Sequence, residues 1–181
     1  MGRNIEVKAR IPDLSAIRAK AATLASGSVE TIDQTDTFFV VPNGRLKVRA
    51  FADGSGEVIS YERPDRQGPR ESIYQRVACE DARALSQALA SVLAVRGIVT
   101  KQREVFHVGR TRIHLDHVNG LGCFVELEVV LDPGESAAQG YREARALLGS
   151  LEIPDGALVP EAYIDLMETA GSQTARSAGS R

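Results

Sequence analysis

Two-residue alternation, repeated along most of the chain, is the feature that most narrows the folds open to it. "RNIEVKAR", residues 3 to 10, sets Asn4, Glu6, Lys8 and Arg10 between Ile5, Val7, Ala9 and Ile11. Such spacing makes a strand with one apolar and one polar face. The period recurs in "RLKVRAF", where Arg45, Lys47 and Arg49 share a face opposite Leu46 and Val48. It returns with Lys101 and Arg103, with Arg112, His114 and Asp116, and with Glu126 and Glu128 opposite Val125, Leu127 and Val129.

Turn residues separate these runs. Pro42-Asn43-Gly44 closes a hairpin, Asp53-Gly54-Ser55-Gly56 makes the next turn, and residues 64–69 form a loop before "ESIYQRV". Gly109 and "NGLG" divide the last three strands, "VTKQREVFHV", "TRIHLDHV" and "CFVELEVVL". Helical spacing places one helix after Asp13, on Leu14, Ile17, Ala21 and Leu24, and another from Glu80 to about Val95. Two more are expected over 135–149 and Glu161–Glu168. The pattern is about eight antiparallel strands with inserted helices, an α+β architecture built on a sheet or a barrel.

The 181 residues predict one domain over 1–168, with "TAGSQTARSAGSR" from 169 to 181 as a flexible tail. A net charge of −2 gives no reason to expect nucleic acid as a partner. Cys79 and Cys123 form no metal-ligand pair and read as small buried residues in a reducing compartment. No run approaches the roughly 20 apolar residues of a membrane span, and the N-terminus has no signal-peptide core. Glu6 stands where myristoylation after Met1-Gly2 wants Ser or Thr. The expectation is a cytoplasmic protein without membrane or nucleic-acid partners; a homodimer is left open.

One charged strand face is ordinarily a solvated outer face. Here, however, like charges recur at i and i+2, only ~6.6 Å apart, so the cations repel unless an anion lies among them. Guanidinium and ammonium groups converging from several strands make a strong site for phosphate oxygens. Carboxylates in the same space oppose that anion unless a divalent cation bridges them, and hard oxygen ligands suit Mg²⁺ or Mn²⁺. The inferred ligand is a polyanion with several phosphates.

These residues resemble the CYTH superfamily, the triphosphate tunnel metalloenzymes. "IEVKAR" is similar to the family's E-x-E-x-K opening; "GRLKVR", "KQRE", "RIHLDHVNGLGCFVELEVVL" and "AYIDLM" carry the rest. The resemblance implies an eight-stranded antiparallel β-barrel, a triphosphate tunnel with inserted and flanking helices, acting on a small-molecule triphosphate with Mg²⁺ or Mn²⁺. Glu6, Glu126 and Glu128 match the metal ligands. Lys8, Arg49, Lys101, Arg103 and Arg112 match phosphate-contacting cations, and Asp116 an acid near the metal. Strand parity adds Arg10, Arg45 and Lys47 to the substrate-binding set. Glu6, Lys8 and Asp116 are the groups expected to be catalytic. Two positions depart from the pattern: Asn4 replaces the first glutamate, and Glu62 stands where several relatives have lysine.

Members of the family include class IV adenylate cyclases, thiamine triphosphatases and inorganic triphosphatases. The reading preferred here is phosphohydrolysis of an inorganic, nucleoside or thiamine triphosphate with release of orthophosphate. The alternatives are cyclisation of ATP to cyclic AMP and pyrophosphate, and a triphosphate-binding module without catalysis, which Asn4 and Glu62 motivate. A plain sheet whose basic patch binds nucleic acid ranks last, since no aromatics interleave with the charges. His107, His114 and His117 complete no zinc set. His114 shares parity with the tunnel face, whereas His107 and His117 read as surface residues and Tyr163 as core. No base motif supports a Ser or Cys nucleophile.

Overall fold

A computed structural model describes residues 1–178, with side chains through Ser172. Eight strands run β1 (Gly2–Arg10), β2 (Glu30–Phe39), β3 (Arg45–Phe51), β4 (Gly56–Glu62), β5 (Arg70–Cys79), β6 (Val95–Val108), β7 (Thr111–Val118) and β8 (Gly122–Val130). All pairings are antiparallel, and the order β1-β5-β4-β3-β2-β6-β7-β8 closes into a barrel. Among the described residues four α-helices accompany it: α1 (Ser15–Leu24), α2 (Ala82–Ala90), α3 (Ala137–Ser150) and α4 (Tyr163–Ala178). No helix among the described residues is long and apolar enough to cross a membrane.

The main hydrophobic core lies outside the barrel wall. Ile5, Val7 and Ala9 of β1 join Ile113, Leu115, Val125 and Leu127 from β7 and β8 in one apolar cluster. Ile17 and Ala21 of α1 and Ala144, Leu147 and Leu148 of α3 cover it. Alternation then turns the charged residues of these strands inward. A smaller cluster, Phe39, Val48 and Ala82, seats α2 on β3. A third, with Phe38, Val99, Phe124, Tyr163 and Ile164, seats the start of α4 across one end of the barrel. Gly97 permits that approach: a Cβ there would lie 2.6 Å from Ile164 Cδ1.

Two boundaries differ from the sequence reading. The second helix stops at Ala90, and Val95 already pairs with Phe39, so β6 gains four residues before Val99. The unpaired edge of β2 claims that segment, outweighing the helical spacing of Val92 and Leu93. Asp13 does cap the start of α1, accepting hydrogen bonds from the Ser15 backbone and hydroxyl, but from one residue ahead of Leu14, which immediately precedes the helix. Helix α4 continues through residues 169–178 of the expected tail, while 179–181 lie outside the described residues. That stretch has no proline to stop it, and Thr169 and Ser172 hydroxyls bond back to the carbonyls of Asp165 and Glu168.

Candidate active site

The barrel encloses a cavity of about 340 Å³. Eight lysine and arginine side chains line it against six carboxylates, a surplus of positive charge that favours an anionic ligand. Register explains the convergence. Glu6 of β1 faces Glu128 of β8, and Lys8 faces Glu126. Arg112 faces Glu128 from β7, His114 faces Glu126, and Arg103 of β6 faces Asp116.

Asp116 is fully buried and anchors one side. Arg103 donates to both its oxygens at 2.6 Å and to Glu126 at 2.8 Å. The Tyr163 hydroxyl donates to Asp116 at 2.8 Å, and Lys101 Nζ lies 3.6 Å from it. Burial alone would raise the Asp116 carboxyl, but Arg103 and Lys101 outweigh it and hold the group well below the carboxylate range. Burial and the Asp116 charge keep the Tyr163 phenol protonated, pushed well above its usual range.

Asp36 organises the opposite wall. Arg49 donates to it twice, at 2.8 and 3.0 Å, and Lys47 donates at 2.8 Å. Burial brings the Lys47 ammonium down to about 7, with Arg49 adding to the shift and Asp36 opposing it. Burial likewise brings Lys8 down to about 8, while Glu126 holds it up. Lys8 Nζ sits 4.0 Å from the centre of the Tyr163 ring and donates to the Glu161 carbonyl at 3.1 Å.

Glu126, Glu128 and His114 form the group suited to a metal: one ligand atom from each lies within 4.8 Å of the others. His114 Nδ1 is buried and faces Glu126 Oε2 at 3.7 Å and Glu128 Oε1 at 3.9 Å, too far for a hydrogen bond but close enough to favour ionised carboxylates. Burial, then the Arg103 charge, depresses the imidazole and keeps it neutral, the state in which it ligates. Burial opposes ionisation of Glu126, yet His114, Lys8 and Arg103 hold it well below the usual carboxylate range. A buried imidazole nitrogen beside two carboxylates fits a divalent metal ion.

Most of the predicted residues meet in this cavity. Glu6, Lys8, Lys47, Arg49, Lys101, Arg103, Arg112, Glu126 and Glu128 all line it. Glu6 stands apart from the metal-suited group, because Arg63 donates to its Oε1 and Arg70 Nη2 lies 3.4 Å away. Asp116 sits behind the lining and acts on the cavity through Arg103 and Tyr163. Arg45 is tied to Asp65 and lies 3.5 Å from Asp165, outside the lining. Arg10 is exposed, bonds the Leu121 carbonyl at 3.0 Å and covers the Phe124 ring, so strand parity alone misplaces it. β1 ends at Arg10, where the barrel wall stops enclosing its side chains.

Sequence reasoning missed Asp36, Arg63 and Arg70. Parity offered the first two: Asp36 shares a face with Gln34 and Phe38, and Arg63 with Ile59 and Tyr61. Glu62, which drew attention instead, is exposed. Tyr163, read as core, also carries a buried hydroxyl bond, and His107, read as surface, lines the cavity. Gly120 and Gly122 have φ of 76° and 93°, the tight turn expected of them.

Comparison with known proteins agrees with this geometry. The chain is 27% identical over 148 residues to adenylate cyclase CyaB of Aeromonas hydrophila, covering 77% of this chain and 74% of that protein. The PH1012 protein of Pyrococcus horikoshii OT3 superposes with a TM-score of 0.81 at 23% identity, over 90% of this chain and 98% of that one. The Hippeastrum protein HpAC1, reported with a dominant triphosphatase activity, superposes at 0.63 with 15% identity, over 94% and 96%. The sequence pattern of the CYTH domain matches residues 2–163, the whole barrel and the chain up to the first residue of α4, and the chain belongs to the CYTH family.

Proposed function

We propose that the protein is a metal-dependent phosphohydrolase that cleaves a triphosphate and releases orthophosphate. One observation carries this: cations from β1, β3, β6 and β7 share an enclosed cavity with the His114, Glu126 and Glu128 group. A divalent cation there, Mg²⁺ or Mn²⁺, would neutralise phosphoryl oxygens and so lower the cost of charge developing at the transition state.

The chain's own residues do the positioning. Asp116 fixes the Arg103 guanidinium with two short bonds, so its remaining donor capacity is preorganised for phosphoryl oxygens. Asp36 does the same for Arg49 and Lys47 on the other wall. Lys8, brought down to about 8, carries a proton that it can give to the leaving oxygen near neutral pH. Water adds to the terminal phosphorus, the bridging P–O bond breaks, and orthophosphate departs from the shortened chain. Glu126, held ionised, orients donors toward the reaction and is too weak a base to remove a proton unaided.

Cyclisation of ATP is the second reading, favoured by the likeness to the Aeromonas cyclase. A product-resolved assay decides between them. Purified protein with Mg²⁺ or Mn²⁺ is given tripolyphosphate, ATP or thiamine triphosphate. Orthophosphate is the expected product; cyclic AMP with pyrophosphate, and no orthophosphate, would overturn the hydrolase.

A further inference from the structure

Three of the cations that face the tunnel depend on one neutral side chain. Lys8 Nζ lies over the Tyr163 ring at 4.0 Å from its centre, and Lys101 Nζ at 5.1 Å. The Tyr163 hydroxyl donates at 2.8 Å to Asp116, the carboxylate that Arg103 grips through two bonds of 2.6 Å. These cations come from β1 and β6, whereas Tyr163 is the first residue of α4. Phe124 meets the ring edge-on, with centroids 4.9 Å apart, and so fixes the plane that the lysines see.

Neutrality is what suits Tyr163 to this place. Lys101 Nζ stands 3.6 Å from Asp116 and 4.0 Å from Asp36, beyond hydrogen-bond reach of either. A further carboxylate beside it would hold it, but would also cancel charge that a phosphate chain needs. An aromatic face attracts an ammonium through its quadrupole and cancels none of its charge. The neighbouring backbone acts in the same way, since the Glu161 carbonyl accepts from Lys8 at 3.1 Å. Ion pairs then seat this segment on the barrel. Asp165 accepts from the Ala162 N–H at 2.9 Å and from Arg96 of β6 at 2.6 Å, and Arg45 of β3 lies 3.5 Å from it.

We infer that Tyr163 is a positioning residue for phosphate binding. Its ring holds Lys8 and Lys101, and its hydroxyl holds Asp116 and, through it, Arg103. The docking of α4 and the aim of three cations are therefore one event. Arg45 gains a use outside the cavity, since with Arg96 it steadies the helix turn that carries Tyr163. This rests on the triphosphate reading above and deepens it by naming what orients the phosphate-binding groups.

The test measures tripolyphosphate Kd by calorimetry on the full chain without metal, together with the urea unfolding midpoint. Tyr163→Leu, which keeps apolar bulk but neither ring nor hydroxyl, should weaken binding about tenfold or more. Tyr163→Phe restores the ring and should recover most of that loss. Ile164→Ala, at the buried neighbour in the same apolar cluster, should lower the midpoint while Kd of the folded protein moves less than about twofold. In a Lys101→Met background the loss on Tyr163→Leu should shrink by about threefold or more, because part of what the ring held is gone. Equal losses in the two backgrounds, a Tyr163→Phe variant as weak as Tyr163→Leu, or an equal loss of affinity in Ile164→Ala would make Tyr163 a packing group and overturn the inference while the triphosphate reading stands. A parent that binds no tripolyphosphate overturns both.

Discussion

Glu6 and Glu128 are direct cross-strand partners on β1 and β8, and both face the tunnel, yet they live in opposite surroundings. Glu6 is shared by two guanidinium groups, Arg63 and Arg70, whose side chains are 4% and 0% exposed. Glu128 accepts one bond from Arg112 at 2.7 Å and sits beside Glu126 and the buried Nδ1 of His114. Two carboxylates directly opposite one another repel. The barrel relieves this by answering one with fixed cations and leaving the other to the metal-suited group. Strand parity makes the pair look equivalent; the loop after β4 and the start of β5, which supply the arginines, make them different.

The largest effect should come from Glu6→Gln. Removing one partner of a buried charge cluster leaves Arg63 and Arg70 uncompensated, costing about 3 kcal/mol of stability in urea titration. Tripolyphosphate without metal should then raise the melting temperature more in this variant than in the parent. An unchanged unfolding midpoint would break the contrast between the two glutamates.

Next, Glu128→Gln and Glu126→Gln should raise the Mn²⁺ concentration giving half-maximal turnover by about 100-fold or more, whereas Glu6→Gln should move it far less. Equal shifts from Glu6 and Glu128 would make them one metal site.

A smaller effect concerns pH and the Asp36 wall. Lys47 titrates at about 7 in the folded chain against 10.5 as a free side chain. Between those values the unfolded chain holds more protons, so Lys47 makes stability rise with pH across that window. Binding of a triphosphate anion restores the ammonium. At pH 8, calorimetry in buffers of different ionisation enthalpy should therefore show proton uptake, and Lys47→Met should reduce it. Proton release would contradict this wall's role.

The smallest effect is expected at Arg10→Ala, which should change triphosphate affinity less than about twofold, as for exposed side chains away from a site. A tenfold loss would return Arg10 to the tunnel.

Much of the site was legible because a strand's period is two. Once "IEVKAR", "RLKVRAF" and "FVELEVV" are strands, Glu6 with Lys8, Lys47 with Arg49, and Glu126 with Glu128 must share faces. Arg10 and Arg45 obey the same parity and still fall outside the cavity, since each stands at a strand end where the wall no longer encloses it. Arg63 comes directly after the last residue of β4 and yet reaches Glu6, because the loop turns it under Pro160. The helical spacing of Val92 was real but yielded to the pairing demand of β2.

The sequence by itself determined which side chains travel together and that one face of each strand is charged, because covalent geometry sets that alternation. Only the tertiary structure decided that the apolar faces look outward under α1 and α3 and the charged faces inward. Closure of eight strands sets distances across the barrel that no local period contains. Those distances give Arg103 to Asp116, Arg49 to Asp36 and Arg63 to Glu6, and leave His114 beside Glu126 and Glu128.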